Sequence, residues 1–382
     1  MSRNPTFVFA GGGTGGHLFP GFAVAEELLG RLPQARIVFA GSERAIERRV
    51  HGEREFERLV LPCENLRTAR RRPWRFVWNN LRAWRAAAAW VSANAPDVVF
   101  GLGGFASAPL VWAAGRRGVP VVLLEQNVVA GRATRWLSRR AALICVSFCP
   151  TADELGGGAR IRVTGNPVRR AIVPGTDAPR RTESASRTLL ILGGSQGAQA
   201  VNRAMLDAAA ALRASLAGWR IVHQTGPEQA ESVRRRYHDL RVPAIVEPFF
   251  DDLPAWYRAA DLAVTRAGAT TLAELACAGV PAVIVPYPQA ARDHQRHNAR
   301  VFAAAGAARV VEQRPDPART ADGLGRQLLE LIDSAGSRNR MRRAMHSLAR
   351  PHAASAVVDE LQQLLAQTPR KLHPTARSRS AA

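Results

Sequence analysis

The chain has 382 residues, enough for two or three domains, and its 47% hydrophobic and 22% charged residues exclude disorder as the main state. No run approaches the roughly 18 to 20 consecutive apolar residues that a bilayer span needs. The 53 basic and 31 acidic residues give a net charge of +22, nearly all of it from arginine, since Lys371 is the only lysine.

Residues 6–10 predict a short buried strand that runs into Gly11-Gly12-Gly13-Thr14-Gly15-Gly16 rather than into a cleavage site, so a cytoplasmic protein is expected. An amphipathic helix follows over 17–32. Short β-rich runs at 36–40, 97–101, 119–124 and 142–146 alternate with helical patterns. Residues 188–192 then repeat the opening: a strand, the turn Gly193-Gly194-Ser195-Gln196-Gly197, and a helix over about 198–212. The alternation resumes at 219–223, 244–246, 261–265 and 281–285. This pattern predicts an α/β fold of two doubly wound parallel-sheet (Rossmann-like) domains with a cleft between them. The expected division is 1–166 and 167–348, with a linker-like composition over 173–187 and a final helix at about 349–366 that packs back on the first domain. The Pro-, Arg- and Ser-rich segment 367–382 is expected to be a disordered basic tail. Cys63, Cys145, Cys149 and Cys277 form no CxxC pair and read as core thiols, not as a disulfide framework or zinc site.

Two tandem glycine-rich turns each offer backbone N–H groups and a helix N-terminus to an anion. A nicotinamide site would require a strict G-x-G-x-x-G and an acidic residue ending the second strand, where only Glu43 lies near. In the second half, Thr265-Arg266-Ala267-Gly268-Ala269-Thr270-Thr271 leads from a strand into a helix whose small residues let a diphosphate approach. Glu274, one turn in, suits a ribose's two hydroxyls, although a solvent-facing glutamate has the same pattern. Gln295 and Asn298, at i and i+3, share a helix face with amides suited to sugar hydroxyls.

The ensemble Gly-Gly-Gly-Thr-Gly-Gly-His at 11–17, Gly-Leu-Gly-Gly-Phe-Ala-Ser at 101–107, Glu-Gln-Asn at 125–127, Thr-Gly-Asn-Pro-Val-Arg at 164–169, Gly-Gly-Ser-Gln-Gly-Ala at 193–198, His-Gln-Thr-Gly at 223–226, Arg-Ala-Gly-Ala-Thr-Thr-Leu-Ala-Glu at 266–274, and Asp-His-Gln with Asn298 resembles the MurG family of bacterial N-acetylglucosaminyltransferases. The resemblance spans about residues 5–365 in order. It implies a GT-B fold and inverting transfer of GlcNAc from UDP-GlcNAc to undecaprenyl-diphospho-muramoylpentapeptide, lipid I, in peptidoglycan synthesis. On the donor side it implies Thr14, Gly15, Gly16, Asn127, Arg169, Ser195, Gln196, Gly197, Phe249, Phe250, Ala269, Thr270, Glu274, Gln295 and Asn298. Of these, Arg169 and the 195–197 loop would hold the diphosphate, Phe249 the uracil pocket, and Gln295 with Asn298 the GlcNAc. Gly103, Gly104, Ser107 and Glu125 would line the acceptor side, with His17 as base. The chain departs from the family at Phe105, Leu124 and Thr134, where tyrosine, histidine and asparagine are usual.

His17 also has a physical case as base. In an inverting transfer the acceptor hydroxyl must lose its proton, and a histidine in a helix's first turn feels the positive dipole end that favours neutral imidazole. A phosphate contact is the alternative role. No Asp-x-Asp pair occurs, so neither a metal nor another cofactor is expected, and helix N-termini with Arg169 would stabilise the leaving UDP. Another UDP-sugar enzyme of the same fold, a different lipid glycosyltransferase or a UDP-GlcNAc 2-epimerase, is the alternative reading. The isoelectric point near 11.5 raises nucleic-acid binding, but no RNA-binding aromatic signature or zinc finger accompanies it.

Residues 65–96 contain no acidic residue and seven arginines: Arg67, Arg70, Arg71, Arg72, Arg75, Arg82 and Arg85. A helix after Pro73 would place Trp74, Val77, Trp78, Leu81, Trp84 and Ala88 near one face. Indoles beside guanidinium groups suit an anionic membrane surface, although packing on the sheet would use the same face. With the lipid-linked acceptor that the resemblance implies, peripheral attachment to the cytoplasmic face of the inner membrane, in company with wall-synthesis proteins, is expected.

Overall fold

The computed structural model describes residues 4–12, 15–43, 56–64, 68, 71–155, 160–173, 187–194 and 196–367. Most of the expected linker, the tail beyond Gln367, and Thr14, Ser195, Arg67 and Arg70 lie outside the described residues. Two all-parallel sheets form the frame. The first contains β1 (Thr6–Gly11), β2 (Arg36–Gly41), β3 (Glu57–Val60), β4 (Val98–Gly103), β5 (Val121–Glu125), β6 (Leu143–Val146) and β7 (Arg160–Val163), in the order β3-β2-β1-β4-β5-β6-β7. The second contains β8 (Arg187–Leu192), β9 (Trp219–Gln224), β10 (Ala244–Glu247), β11 (Leu262–Thr265), β12 (Ala282–Ile284) and β13 (Ala308–Val310), in the order β10-β9-β8-β11-β12-β13.

Central strands are covered on both faces and read as unbroken apolar runs. In β1, Phe9 stacks on Phe39 at 5.0 Å and Phe100 at 4.5 Å, under Phe22 of the helix Gly15–Arg31. On the other face Val8, Val38 and Val99 meet Ala83, Ala87 and Val91 of the helix Pro73–Asn94. In the second sheet, Leu189 and Ile191 pack with Val201 and Met205 of the helix Gln199–Ala211 and with Leu324 and Leu328 of the helix Pro317–Asp333. The last helix, Ala353–Gln367, crosses to the first sheet's core, where Val357, Val358 and Leu361 are buried with Phe22 and Leu28. Arg31 fastens it through Asp359 at 2.5 Å and the Ser355 hydroxyl at 2.6 Å.

β3, β7 and β13 have no counterpart among the predicted strands. Glu-Arg-Leu-Val, Arg-Ile-Arg-Val and Ala-Arg-Val carry the charge of sheet-edge segments, and that charge hides the apolar signal. The cysteine reading needs a correction as well: Cys145 and Cys277 are buried, but Cys63 is half-buried and Cys149 is exposed at the start of a helix.

His223, next to last in β9, has no solvent exposure, its ring nitrogens bonded to the Tyr237 hydroxyl (3.0 Å) and Asn202 Oδ1 (3.1 Å). Asn202 Nδ2 donates to Thr225 O and Gln229 Oε1, so this network sets the loop after β9. Burial pushes the His223 pKa down to about 3. The unfolded chain, with an ordinary histidine pKa near 6.5, binds a proton that the folded chain refuses. Stability is therefore full above pH ~6.5 and falls by about 1.4 kcal/mol per unit as pH drops from there toward 3. Urea unfolding at pH 7 and pH 5 should show an acid-side loss that is about 2 kcal/mol smaller in His223→Gln. Parallel pH profiles for the two proteins would refute this.

Candidate active site

In both sheets the strand order reverses, between β1 and β4 and between β8 and β11, and ligands of open α/β sheets bind beyond the carboxyl ends at such points. In the first half, Gly12, the helix start at Gly15 and the segment 103–107 flank the reversal. His17 is half-buried in the first turn of the helix Gly15–Arg31. Its ring lies against Gly103 and Gly104, which have φ of +92° and +76°. A Cβ on Gly104 would stand 2.8 Å from the Gly12 carbonyl oxygen, so only glycine provides this shelf. Burial lowers the His17 pKa, opposed by the Glu125 carboxylate and a hydrogen bond to the Gly12 backbone and reinforced by His294 from the second half. The net direction favours neutral imidazole.

Ser107 has no exposure and donates to the Gly104 carbonyl at 2.9 Å. It supports the shelf rather than lining the acceptor cleft, contrary to expectation. Glu125 is also buried: Oε1 accepts from Asn127 N and Nδ2, and Oε2 from Gly131 N (2.9 Å) and the Thr134 hydroxyl (2.6 Å). Its carboxylate organises the 125–131 loop instead of facing a ligand. Thr134, one of the departures from the family, supplies a donor here as an asparagine amide would.

In the second half, residues 193, 194 and 196–198 and the segment 266–268 that leads into the helix Ala269–Ala278 flank the reversal. Gly197 has φ of +77°, and a Cβ there would lie 2.2 Å from Thr225 O, so its role is close packing of this loop on the next; Gln196 is exposed. The helix Ala269–Ala278 starts at Gly268 without a side-chain cap, leaving first-turn N–H groups to a ligand. Ala269 and Thr270 are buried there.

Glu274 differs from a surface ribose acceptor: it is only 3% exposed, with Oε1 accepting from Arg169 Nε at 2.9 Å and Oε2 from the Tyr257 hydroxyl at 3.0 Å. Burial disfavours the Arg169 charge, but the Glu274 carboxylate outweighs it and the arginine pKa is raised. Burial, with Glu274 beside it, holds the Tyr257 pKa well above its ordinary value, so the phenol remains a donor. The Arg169 guanidinium also lies 4.6 Å from the Phe19 ring of the first half. Tyr257 escaped sequence reading because a tyrosine on the apolar face of the helix Leu253–Ala259 looks like core.

Phe250 is a further correction: it is buried against Trp256 at 5.5 Å and its N–H donates to Gln224 Oε1. Phe249 beside it is half-buried. Gln295 Oε1 accepts from Ala267 N and Tyr287 N, which leaves its NH2 group as the donor for a ligand. Asn298 has no exposure and joins the halves, accepting from Val128 N and donating to Asn127 Oδ1 and Ala267 O, each at 3.0 Å. It does not face an open sugar site in this structure.

Other ties cross the cleft. The Thr270 hydroxyl donates to Gly16 O at 2.7 Å and accepts from Asn166, so the N-termini of the helices Gly15–Arg31 and Ala269–Ala278 meet. Arg292 donates to Ala130 O at 2.9 Å and pairs with Glu154 at 2.6 Å. Arg292 and Asp293 both have left-handed φ, 54° and 56°, an arrangement side chains rarely adopt in succession. The Arg292–Glu154 pair, separated by 138 positions in sequence, had no local signal.

The helix Pro73–Asn94 buries Ala83, Ala87 and Val91 and exposes Trp74 (74%), Val77 (62%), Trp78 (60%) and Leu81 (42%). The expected apolar face is thus mostly uncovered. Trp84 is half-buried, edge-on to Trp112 at 5.7 Å and Trp136 at 6.1 Å, and Ala88 is half-buried too. Arg71, Arg72 and Arg75 border the exposed end. Among the described residues no helix is long and apolar enough to cross a membrane, and no His, Cys, Asp and Glu cluster suits a metal ion.

Comparison with known proteins matches residues 7–146 to the glycosyltransferase family 28 N-terminal domain and residues 188–357 to the family 28 C-terminal domain. A relative from Nitratidesulfovibrio vulgaris is 41% identical over 371 residues, covering 93% of this chain and 96% of the relative. One from Anaeromyxobacter dehalogenans is 37% identical over 367 residues, covering 93% and 92%. Both are named UDP-N-acetylglucosamine--N-acetylmuramyl-(pentapeptide) pyrophosphoryl-undecaprenol N-acetylglucosamine transferase. Among solved structures, Acinetobacter baumannii MurG aligns with a TM-score of 0.71 at 30% identity, covering 94% of this chain and 99% of that one. A putative UDP-N-acetylglucosamine 2-epimerase from Listeria monocytogenes aligns at 0.69 with 16% identity, covering 96% and 98%, a likeness of fold alone. With both domains matched and identity sustained along nearly the whole chain, this protein belongs to glycosyltransferase family 28, as a member of its MurG family.

Proposed function

We propose that the chain transfers GlcNAc from UDP-GlcNAc to the muramoyl 4-hydroxyl of undecaprenyl-diphospho-muramoylpentapeptide with inversion at the anomeric carbon. The observation that carries the mechanism is the His17 imidazole on its glycine shelf, its pKa lowered by burial, opposite the uncapped helix start at Ala269. The acceptor oxygen bonds to the anomeric carbon as the bond from that carbon to the UDP oxygen breaks, and the hydroxyl proton passes to His17. Charge developing on the departing diphosphate meets the first-turn N–H groups of Ala269 and Thr270, the 195–197 loop and Arg169. For Arg169 to reach it, the guanidinium partly releases Glu274, whose carboxylate then accepts from the ribose hydroxyls. Gln295 binds the sugar through its NH2 group, and Phe249 borders the uracil. In the proposed division, residues 1–166 with 349–366 hold the acceptor and 167–348 the donor.

The acceptor's lipid tail stays in the bilayer, so the cleft must come to it. The exposed face Trp74, Val77, Trp78 and Leu81, bordered by arginines, supports reversible docking on the anionic cytoplasmic leaflet, with indoles at headgroup level. Identity of 37% to 41% with relatives named as this transferase, against 16% with the epimerase, supports the transferase reading over the epimerase alternative.

Three results are expected. His17→Ala should lower kcat by roughly 100-fold or more with UDP-GlcNAc affinity nearly unchanged. Because burial lowers the His17 pKa, the wild-type acid limb should fall only below pH ~6.5, with activity flat above it; a collapse of donor affinity with surviving turnover would make His17 a phosphate contact. Glu274→Ala should destabilise the fold by about 3 to 5 kcal/mol in urea titrations, because it strands Arg169 and the Tyr257 hydroxyl in a buried site. Glu274→Gln should retain more of the fold yet bind UDP weakly by calorimetry, and unchanged affinity would remove Glu274 from the donor site. Finally, neutralising Arg70, Arg71, Arg72 and Arg75 together should reduce sedimentation with anionic vesicles and activity on membrane-embedded acceptor, while sparing UDP-GlcNAc affinity. Equal sedimentation at physiological salt would defeat docking through this segment.

A further inference from the structure

Gln224 closes β9 and is buried, 3% exposed, between the turn proposed to hold the donor's diphosphate and the segment proposed to border its base. Its side-chain Nε2 donates to Gly194 O at 3.1 Å, and its Oε1 accepts from Phe250 N at 3.3 Å. Its backbone carbonyl accepts from Gly193 N at 3.1 Å. Reversing the amide would set oxygen against carbonyl oxygen and N–H against N–H, so the two side-chain contacts admit one orientation.

Each bond acts on a part of the site that a nucleotide would meet. The Gly194 carbonyl accepts from Gly197 N at 3.0 Å as well as from Gln224, which commits both its lone pairs to the scaffold. A negative dipole end is thereby kept from turning toward an anion at the glycine turn. On the other side, Phe250 N follows directly on the half-buried Phe249. The same segment hangs from the residues after Gln224, with Thr225 N donating to Glu247 O at 3.0 Å and Gly226 N to Pro248 O at 3.1 Å. Gly226 in turn packs on the glycine turn, where a Cβ would stand 2.5 Å from the Gly197 Cα. One amide therefore bridges the diphosphate turn and the base-side segment.

We propose that Gln224 is a positioning residue for nucleotide selectivity: through Oε1 it sets the base-side segment against the diphosphate turn, to which its Nε2 and backbone carbonyl are bonded. This role rests on the donor site proposed above and adds to it the group that fixes where the base edge is read. Gln224 acts through the two segments and not by contact with the donor. Ribose and diphosphate are common to all ribonucleoside diphosphates, so selection falls to hydrogen bonds at the base edge. A displacement of about 1 Å is enough to lose a directional bond of that kind.

The test compares UDP with CDP by calorimetry on the full chain. The two share ribose and diphosphate and differ at the base edge, a carbonyl and N3–H in uracil against an amino group and a bare N3 in cytosine. Wild type should favour UDP by about 30-fold or more. Gln224→Met keeps the length of the side chain, removes both of its bonds, and should shrink that preference about tenfold or more. Gln224→Glu keeps an acceptor for Phe250 N in either protonation state, and should hold the preference within about twofold of wild type whatever its absolute affinity. Where melting shows that Gln224→Met does not fold, Gln224→Asn, whose amide is one methylene short of both segments, carries the same expectation. A wild-type preference that survives in the methionine or asparagine variant, or that is lost equally in the glutamate variant, overturns the role of Gln224. Wild type that binds UDP without preferring it to CDP also overturns that role and leaves the diphosphate site standing, whereas failure of wild type to bind either nucleotide overturns the donor-site reading itself.

Discussion

Two helix N-termini meet across the cleft, and the arrangement of the site follows from the electrostatics of that meeting. The Thr270 hydroxyl bonded to Gly16 O brings together the positive ends of the helices Gly15–Arg31 and Ala269–Ala278, with Arg169 nearby adding a full charge. Like-signed dipole ends repel unless negative charge lies between them. Without ligand, the buried Glu274 carboxylate supplies some of that charge by holding Arg169. A nucleoside diphosphate would supply more, so the geometry favours an anionic donor before any base or sugar contact is counted. His17 lies in the first turn of one of these helices, and burial there, reinforced by His294, lowers its pKa.

The paired sheets were legible in the sequence because their central strands are buried on both faces, leaving uninterrupted runs such as Leu189-Leu190-Ile191-Leu192. The glycine turns were legible too, since positions such as Gly104 admit no other residue. What remained hidden was which polar side chains face a ligand and which hold the scaffold. Glu125, Ser107 and Asn298 stand in motif positions, yet each is consumed by neighbouring backbone or by the opposite domain. A motif records that a residue type is required, and an internal hydrogen bond requires it as strictly as a substrate does. The partner of Glu274 was beyond reach for another reason: Tyr257 lies 17 positions away on a different helix, and nothing local connects a phenol to a carboxylate.

The contacts between halves differ in kind from those within each sheet. Asn298 and Arg292 grip the 127–130 backbone through polar bonds, and the second carries two consecutive left-handed residues. Polar bonds of this sort exchange readily for water or ligand, whereas the Phe9, Phe39 and Phe100 stack does not. Movement between the halves is therefore expected to concentrate at these few positions while each sheet stays rigid.

The last helix has a consequence for how the protein is made. Val357, Val358 and Leu361 complete the core around Phe22 and Leu28, although they are encoded more than 320 positions later. During synthesis the amino-terminal sheet emerges first and waits with that apolar surface bare until residues 357–361 have been made. A nascent chain in this state invites chaperones, and an isolated amino-terminal fragment would keep the same exposed surface permanently. Order of birth and order of completion are thus inverted: the domain that begins the chain is the last to be sealed.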